Sequence, residues 1–184
     1  QAMAQVLLVA GYRRIGLDHY ALPRDTLAMA QAGGRLRRNF QGYTTDDADV
    51  LLGFGASAIT RLPQGYVQNE IVLGRYAAMV AGGQLPAARG RALTAEDSFR
   101  AELIERVMCD LRVDVGQVAD RHNRPRQAPQ EAFPALRALQ EDGVIRLQGD
   151  VIAVQSQARP LLRAVAAAFD GYFGQAASAR SSAV

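Results

Sequence analysis

Asp18 and His19 are adjacent, and a carboxylate beside an imidazole can fix the ring's tautomer and help it carry a proton. This pair is the first candidate for acid–base chemistry, placed at the end of an expected strand. The competing reading of His19 is a hydrogen-bonded core histidine. The second histidine, His122, falls in the arginine-rich stretch from Arg121 to Arg126 and reads as a solvated loop residue. Neither imidazole has a neighbour at metal-ligand spacing, so no metal site is expected in this chain. Ser57 follows Gly53-Phe54-Gly55-Ala56, whereas a nucleophile elbow sets its serine between the glycines, and it is assigned no nucleophilic role. Cys109, the single cysteine, lies inside a helical pattern and reads as a packed, inert thiol. One thiolate makes no intramolecular disulfide and holds no iron–sulfur cluster on its own. Arg35, Arg37 and Arg38 can clamp carboxylates through paired guanidinium donors, the plainer alternative being a solvated charged loop.

Elements must position these groups. Ala2 to Ala10 is apolar and helical in character, with Gly11 a natural stop. Tyr12 to Tyr20 carries Ile15, Leu17 and His19 at period two and is predicted as one strand ending at Asp18-His19-Tyr20. Pro23 and Asp25 start a short helix through Ala30, closed by Gly33-Gly34. Asn39-Phe40-Gln41-Gly42-Tyr43-Thr44-Thr45 is a polar loop, and Val50 to Ile59 is a strand of small residues that a backbone or ligand could approach closely. Its Gly53-Phe54-Gly55 lacks the third glycine of a dinucleotide fingerprint.

Val72, Tyr76, Met79 and Val80 define a helix with a core face, ended by Gly82-Gly83. Thr94 and Asp97 form a capping-box-like start to a helix with Phe99, Leu103, Val107 and Leu111 down one side. Asp114 with Gln117 caps another short helix, and a further one runs near Gln130 to Asp142. Val144 to Leu147 and Val151 to Val154 flank a three-residue hairpin loop, and Leu161 to Tyr172 is a last amphipathic helix.

The chain has 184 residues, is 49% hydrophobic and carries a net charge of +3, enough apolar matter for a packed core. All 21 cationic residues are arginine, which reflects codon bias better than function. The charge is uneven: residues 1–93 hold ten arginines against six acids, residues 94–184 eleven against twelve. A basic half suits phosphates, nucleic acid or carboxylate-rich small molecules. No apolar run reaches the roughly 20 residues that span a bilayer, and no signal-peptide pattern opens the chain, so no membrane partner and a cytoplasmic location are expected.

Three motifs in order carry a resemblance: Ile15-Gly16-Leu17-Asp18-His19-Tyr20-Ala21, Arg38-Asn39-Phe40-Gln41-Gly42-Tyr43-Thr44-Thr45 and Leu52-Gly53-Phe54-Gly55-Ala56-Ser57-Ala58-Ile59. With Tyr66-Val67-Gln68-Asn69, the stretch from Arg89 to Thr94 and the Asp142-Gly143 hairpin approach, they resemble oxygen-independent coproporphyrinogen III oxidase from about Gly11 to Phe173. That family belongs to the radical S-adenosylmethionine (SAM) enzymes of haem biosynthesis. The resemblance implies oxidative decarboxylation of two propionates of coproporphyrinogen III to vinyl groups, giving protoporphyrinogen IX. It also implies a [4Fe–4S] cluster, a 5′-deoxyadenosyl radical that abstracts hydrogen, and two SAM molecules. The second SAM would meet Phe40, Gln41 and Ile59. The family's Cys-x-x-x-Cys-x-x-Cys motif is absent, so this chain alone is expected to be inactive and to bind no cluster.

The expectation is therefore an α+β fold: residues 1–93 as the last strand and C-terminal edge of a radical SAM (β/α) barrel near the second SAM, residues 94–175 as a helical domain with a winged-helix-like hairpin, and 176–184 as a flexible tail. The chain is expected to be the C-terminal portion of the oxidase, partnered by an N-terminal barrel region. Two alternatives remain: a winged-helix nucleic-acid binder, disfavoured by the net −1 of residues 94–184, and a non-catalytic paralogue or partner-binding domain.

Overall fold

Gly11, at φ +86, ends the helix α1 (Ala2–Val9) as the sequence predicts, but none of the eight residues of α1 is buried. This is seen in a computed structural model that describes residues 2–173; the tail expected from Ala176 lies outside the described residues. The chain divides into two compact units, the first built from residues 1–45 and 99 onward, the second from 46–98. The first unit is thus discontinuous in sequence, where the charge and motif pattern placed one boundary at 93/94.

In the first unit the single strand expected over Tyr12 to Tyr20 is instead a hairpin, β1 (Arg13–Ile15) and β2 (His19–Ala21). Gly16 turns the chain at φ +51, a left-handed conformation that favours glycine, and Ile15 then pairs across from His19. Apolar alternation is the same for one strand as for two strands mirrored about a turn, which is why the pattern misled. Asp25 caps α2 (Thr26–Ala32) by accepting from the Leu27 N–H at 2.8 Å, and Gly33 follows as C-cap. The polar loop after it is a second small hairpin, β3 (Arg37–Arg38) and β4 (Tyr43–Thr44), with Asn39-Phe40-Gln41-Gly42 at its tip.

The second unit is an antiparallel meander of β5 (Ile59–Leu62), β6 (Gly65–Asn69) and β7 (Ala87–Ala92), with α3 (Leu73–Ala81) between β6 and β7. Val50 to Ile59 is not a strand: apart from one bridge between Leu51 and Arg61 it is irregular until β5 begins. Gly55 at φ +105 and Ser57 at φ +62 break the extended backbone. The apolar stripe of α3 is a real stripe but not a core face, since no residue of α3 is buried.

The capping box forms as predicted. Thr94 N–H donates to Asp97 Oδ2 at 2.9 Å, and Asp97 N–H to Thr94 Oγ1 at 3.1 Å, opening α4 (Ala95–Asp110). Phe99, Leu103 and Val107 on α4 are fully buried, each contributing about 1.5–3 kcal/mol by leaving water. Leu111, at φ +57, ends the helix. There follow β8 (Arg112–Asp114), α5 (Val115–Arg121) capped by Asp114 on Gln117 N–H, α6 (Phe133–Glu141), β9 (Ile145–Gln148), β10 (Val151–Val154) and α7 (Leu162–Ala167).

These strands form one antiparallel sheet in the order β8-β10-β9. Its hairpin loop has two residues, Gly149 and Asp150, rather than three, because Gln148 pairs with Val151. The last helix is shorter than its apolar pattern: α7 ends at Ala167, five residues before Tyr172, and Ser156–Leu161, which contains Pro160, forms a 3-10 turn ahead of it. All sheets among the described residues are small and antiparallel, and none closes into a barrel.

Candidate active-site surface

The turn between β1 and β2 brings the Asp18–His19 pair to the surface, with Nδ1 of His19 2.9 Å from Asp18 Oδ1 and both side chains about half exposed. His19 is therefore not a core histidine. Its ring meets Tyr43 edge-on at 5.0 Å between centroids, and its Nε2 lies beside Gly42, where an added Cβ would sit 3.5 Å away. Tyr43 is the hub of this corner. Its hydroxyl accepts from Leu17 N–H at 2.9 Å and donates to Met108 carbonyl at 3.1 Å, while Arg159 reaches the Gly16 carbonyl at 2.6 Å. Burial raises the Tyr43 phenol above its ordinary value, outweighing the Leu17 hydrogen bond and the Arg38 charge, so it works as a neutral hydroxyl.

The β3–β4 hairpin presents Phe40, 54% exposed, and Gln41, whose N–H is held by Asn39 Oδ1 at 2.8 Å and whose side-chain amide bonds to no described residue. The first leg of this hairpin is tied to α4: Glu105 Oε1 accepts from Arg37 Nε at 2.9 Å and from the Arg38 N–H at 3.0 Å, and Arg106 donates to the Leu36 carbonyl at 2.8 Å. Of the three arginines, Arg37 is thus paired. Arg38 lies over the Tyr43 ring at 5.6 Å, with its Nε buried and without a hydrogen-bond partner, and Arg35 is exposed beside Gly33.

Ile59 belongs to the second unit and opens β5, pairing with Gln68. The segment before it is anchored at many points. Asn69 Nδ2 donates to the Gly53 carbonyl at 3.1 Å and the Gly55 carbonyl at 2.9 Å, and Gln68 Nε2 donates to the Ser57 carbonyl at 2.9 Å. The Gly53 N–H meets Thr60 Oγ1 and the Gly55 N–H meets the Tyr76 hydroxyl. Phe40 and Gln41 belong to the first unit and Ile59 to the second.

His122 is not a solvated loop residue. It follows α5 as C-cap and is partly buried, with Nε2 2.7 Å from Glu102 Oε2 and its ring against Phe99. The arginine-rich composition around it hid a carboxylate twenty residues upstream on α4. Cys109 is buried, and burial pushes its thiol up to about 12. A thiol so reluctant to ionise, alone in its chain, does not fit a cluster ligand, and no group of metal-ligating side chains occurs among the described residues. No described helix is long and apolar enough to cross a membrane.

No family model matches the chain. The oxygen-independent coproporphyrinogen III oxidase of Bradyrhizobium diazoefficiens is 49% identical over 183 residues, covering all of this chain and 41% of the relative. That of Paracoccus denitrificans is 40% identical over 98% of this chain and 40% of the relative. The solved coproporphyrinogen III oxidase of Escherichia coli, described as a radical SAM enzyme, superposes with a TM-score of 0.87 at 35% identity, over 94% of this chain and 40% of that one. The chain is a homologue of the C-terminal part of the oxygen-independent coproporphyrinogen III oxidases. It spans about two fifths of the length of these oxidases. The motifs that carry the resemblance lie on the β1–β2 and β3–β4 hairpins, on the segment leading into β5 and on β6, and the oxidase match runs through all of them. Tyr43, Glu105 and Asn69 had no role assigned from sequence. Tyr43 and Asn69 lie inside the motifs that carry the resemblance, which is the available signal, whereas nothing local marks Glu105.

Proposed function

We propose that this chain provides the C-terminal part of an anaerobic coproporphyrinogen III dehydrogenase, which converts two propionates to vinyl groups with loss of CO2 and yields protoporphyrinogen IX. The observation that carries the reading is the match along the whole chain, 49% identical to one such oxidase and of one shape with another. SAM would supply the hydrogen-abstracting radical; the cluster does not fit any residue described above, and its cysteines would come from outside this chain.

Phe40, Gln41 and Ile59 are the side chains offered to a second SAM. Phe40 gives an apolar face, Gln41 an amide with donors and an acceptor unspent, and Ile59 an aliphatic wall. Arg38 and Arg35 are offered to substrate carboxylates, and of the two Arg38 has the better case, with a buried Nε that lacks a partner. Arg37 serves them through its pairing with Glu105. The Asp18–His19 pair sets a carboxylate oxygen 2.9 Å from Nδ1 of an exposed imidazole, an arrangement suited to proton transfer at the substrate's edge. The first ninety-three residues would then form the edge of the barrel. The order α4-β8-α5-α6-β9-β10, with sheet order β8-β10-β9, supports a winged-helix-like domain. The cytoplasm is the compartment this reading implies.

The nucleic-acid alternative finds no support: Arg100, Arg121 and Arg126 of that half are committed to Glu131, Glu102 and the Asp120–Asp150 pair. The test uses a chimera in which this chain replaces the matching part of the Escherichia coli enzyme. Phe40→Ala, Gln41→Ala and Ile59→Ala should each lower SAM stoichiometry or raise the KM for SAM; three variants that bind SAM as the unsubstituted chimera does would refute the assignment.

A further inference from the structure

The motif Tyr66-Val67-Gln68-Asn69 takes no part in the function argued so far, yet it ends β6 against the segment that leads to Ile59. Asn69 is one of two buried polar residues among those described, 9% exposed, and a buried amide must find partners or cost free energy. Both of its side-chain partners are carbonyl oxygens, which can only accept, so the NH2 group and not the oxygen must face them. Its own N–H donates to the Ala58 carbonyl at 2.9 Å, the residue before Ile59, and Gln68 captures the Ser57 carbonyl. Four carbonyls between Gly53 and Ala58 therefore accept from two adjacent residues of one strand.

These bonds hold a backbone that would not otherwise keep its shape. Gly55 sits at φ +105 and Ser57 at φ +62, the latter in a region that costs a non-glycine residue energy unless its surroundings fix it. At Gly53 an added Cβ would lie 2.7 Å from the Ile59 carbonyl, so the segment folds back directly onto the residue it precedes. A change at Gly53 or Gly55 is thereby passed to Ile59.

We infer that Asn69, seconded by Gln68, is a positioning residue that sets Ile59 against SAM by clamping the Gly53–Ala58 carbonyls. This rests on the reading of Ile59 given above. Asn69→Asp keeps size and shape but replaces the donating NH2 with an oxygen facing two carbonyls; Gln68→Glu does the same for Ser57.

Hydrogen exchange on the full chain tests the clamp without any ligand. In N69D the Gly53 and Gly55 N–H groups should exchange about tenfold faster or more, with amides of α4 unchanged; equal rates at Gly53 and Gly55 in N69D and the unsubstituted chain overturn the inference. In the chimera, N69D should raise the KM for SAM about tenfold while the KM for coproporphyrinogen III stays within about twofold, and Q68E should do the same more weakly. Equal changes in both KM values, or a lowered Tm with neither changed, mark Asn69 as merely structural and overturn it. If exchange at Gly53 rises but neither N69D nor Ile59→Ala alters the KM for SAM, the clamp is real and the role of Ile59 is what has failed, which overturns the inference as stated.

Discussion

Glu105 on α4 receives the Arg37 guanidinium at 2.9 Å and, with the same oxygen, the Arg38 backbone N–H. One carboxylate of a helix thereby fixes the hairpin leg that leads to Phe40 and Gln41. Glu105→Ala should cost about 2 kcal/mol, since it strands a partly buried guanidinium and an N–H, and Glu105→Gln about half of that because its amide oxygen still accepts. Urea unfolding of the two variants measures the difference, and equal stabilities would show the hairpin to be held by other contacts.

Tyr43→Phe deletes one hydroxyl and leaves both the Leu17 N–H and the Met108 carbonyl without a partner. A loss of about 1–3 kcal/mol is expected in thermal or urea unfolding. Gly16→Ala should be at least as damaging, because a Cβ there would collide with the Tyr43 ring and the residue sits at φ +51.

Glu102 gives a pH signature. Burial alone would raise its carboxyl, but the hydrogen bonds from His122 and Arg121 outweigh it and hold the group below its ordinary 4.5. A depressed carboxyl contributes stability above the unfolded value and loses it as pH falls through the folded one, so this contribution disappears below about 4.5. Glu102→Gln should flatten that part of the stability-against-pH curve, and an unchanged acid limb would show that the pair contributes nothing.

Cys109 should resist alkylation in the folded chain at pH 8, because burial raises its thiol from 9.0 to about 12, and react quickly once urea unfolds it. The sign is that of a buried neutral group: its share of stability is present below 9.0 and is lost as pH rises toward about 12. Mass-resolved iodoacetamide labelling with and without urea reads both states.

Local signals of the fold were legible in the sequence where short-range chemistry decides. The Thr94–Asp97 box, the Asp25 and Asp114 caps and the stop at Gly11 all formed, since each needs only neighbours in sequence. The pattern failed where a turn mirrors an apolar alternation, as at Gly16, or where partners lie far apart, as for His122 with Glu102 and Arg37 with Glu105. The stripe on α3 was legible as amphipathic but not as exposed, because periodicity shows that a face is apolar and not what covers it. At the candidate site the motif residues could be named from sequence, whereas the clamps that hold them could not.

In the function proposed above, this chain does the work of the C-terminal part of the oxidases it matches. Its most direct test is anaerobic turnover by the chimera with the Escherichia coli enzyme, supplied with SAM, a reductant and coproporphyrinogen III, with protoporphyrinogen IX followed by chromatography after oxidation. The account predicts formation of protoporphyrinogen IX that falls when Phe40, Gln41 or Ile59 is replaced by alanine. A chimera that folds and holds its cluster, yet leaves coproporphyrinogen III unchanged, would contradict it.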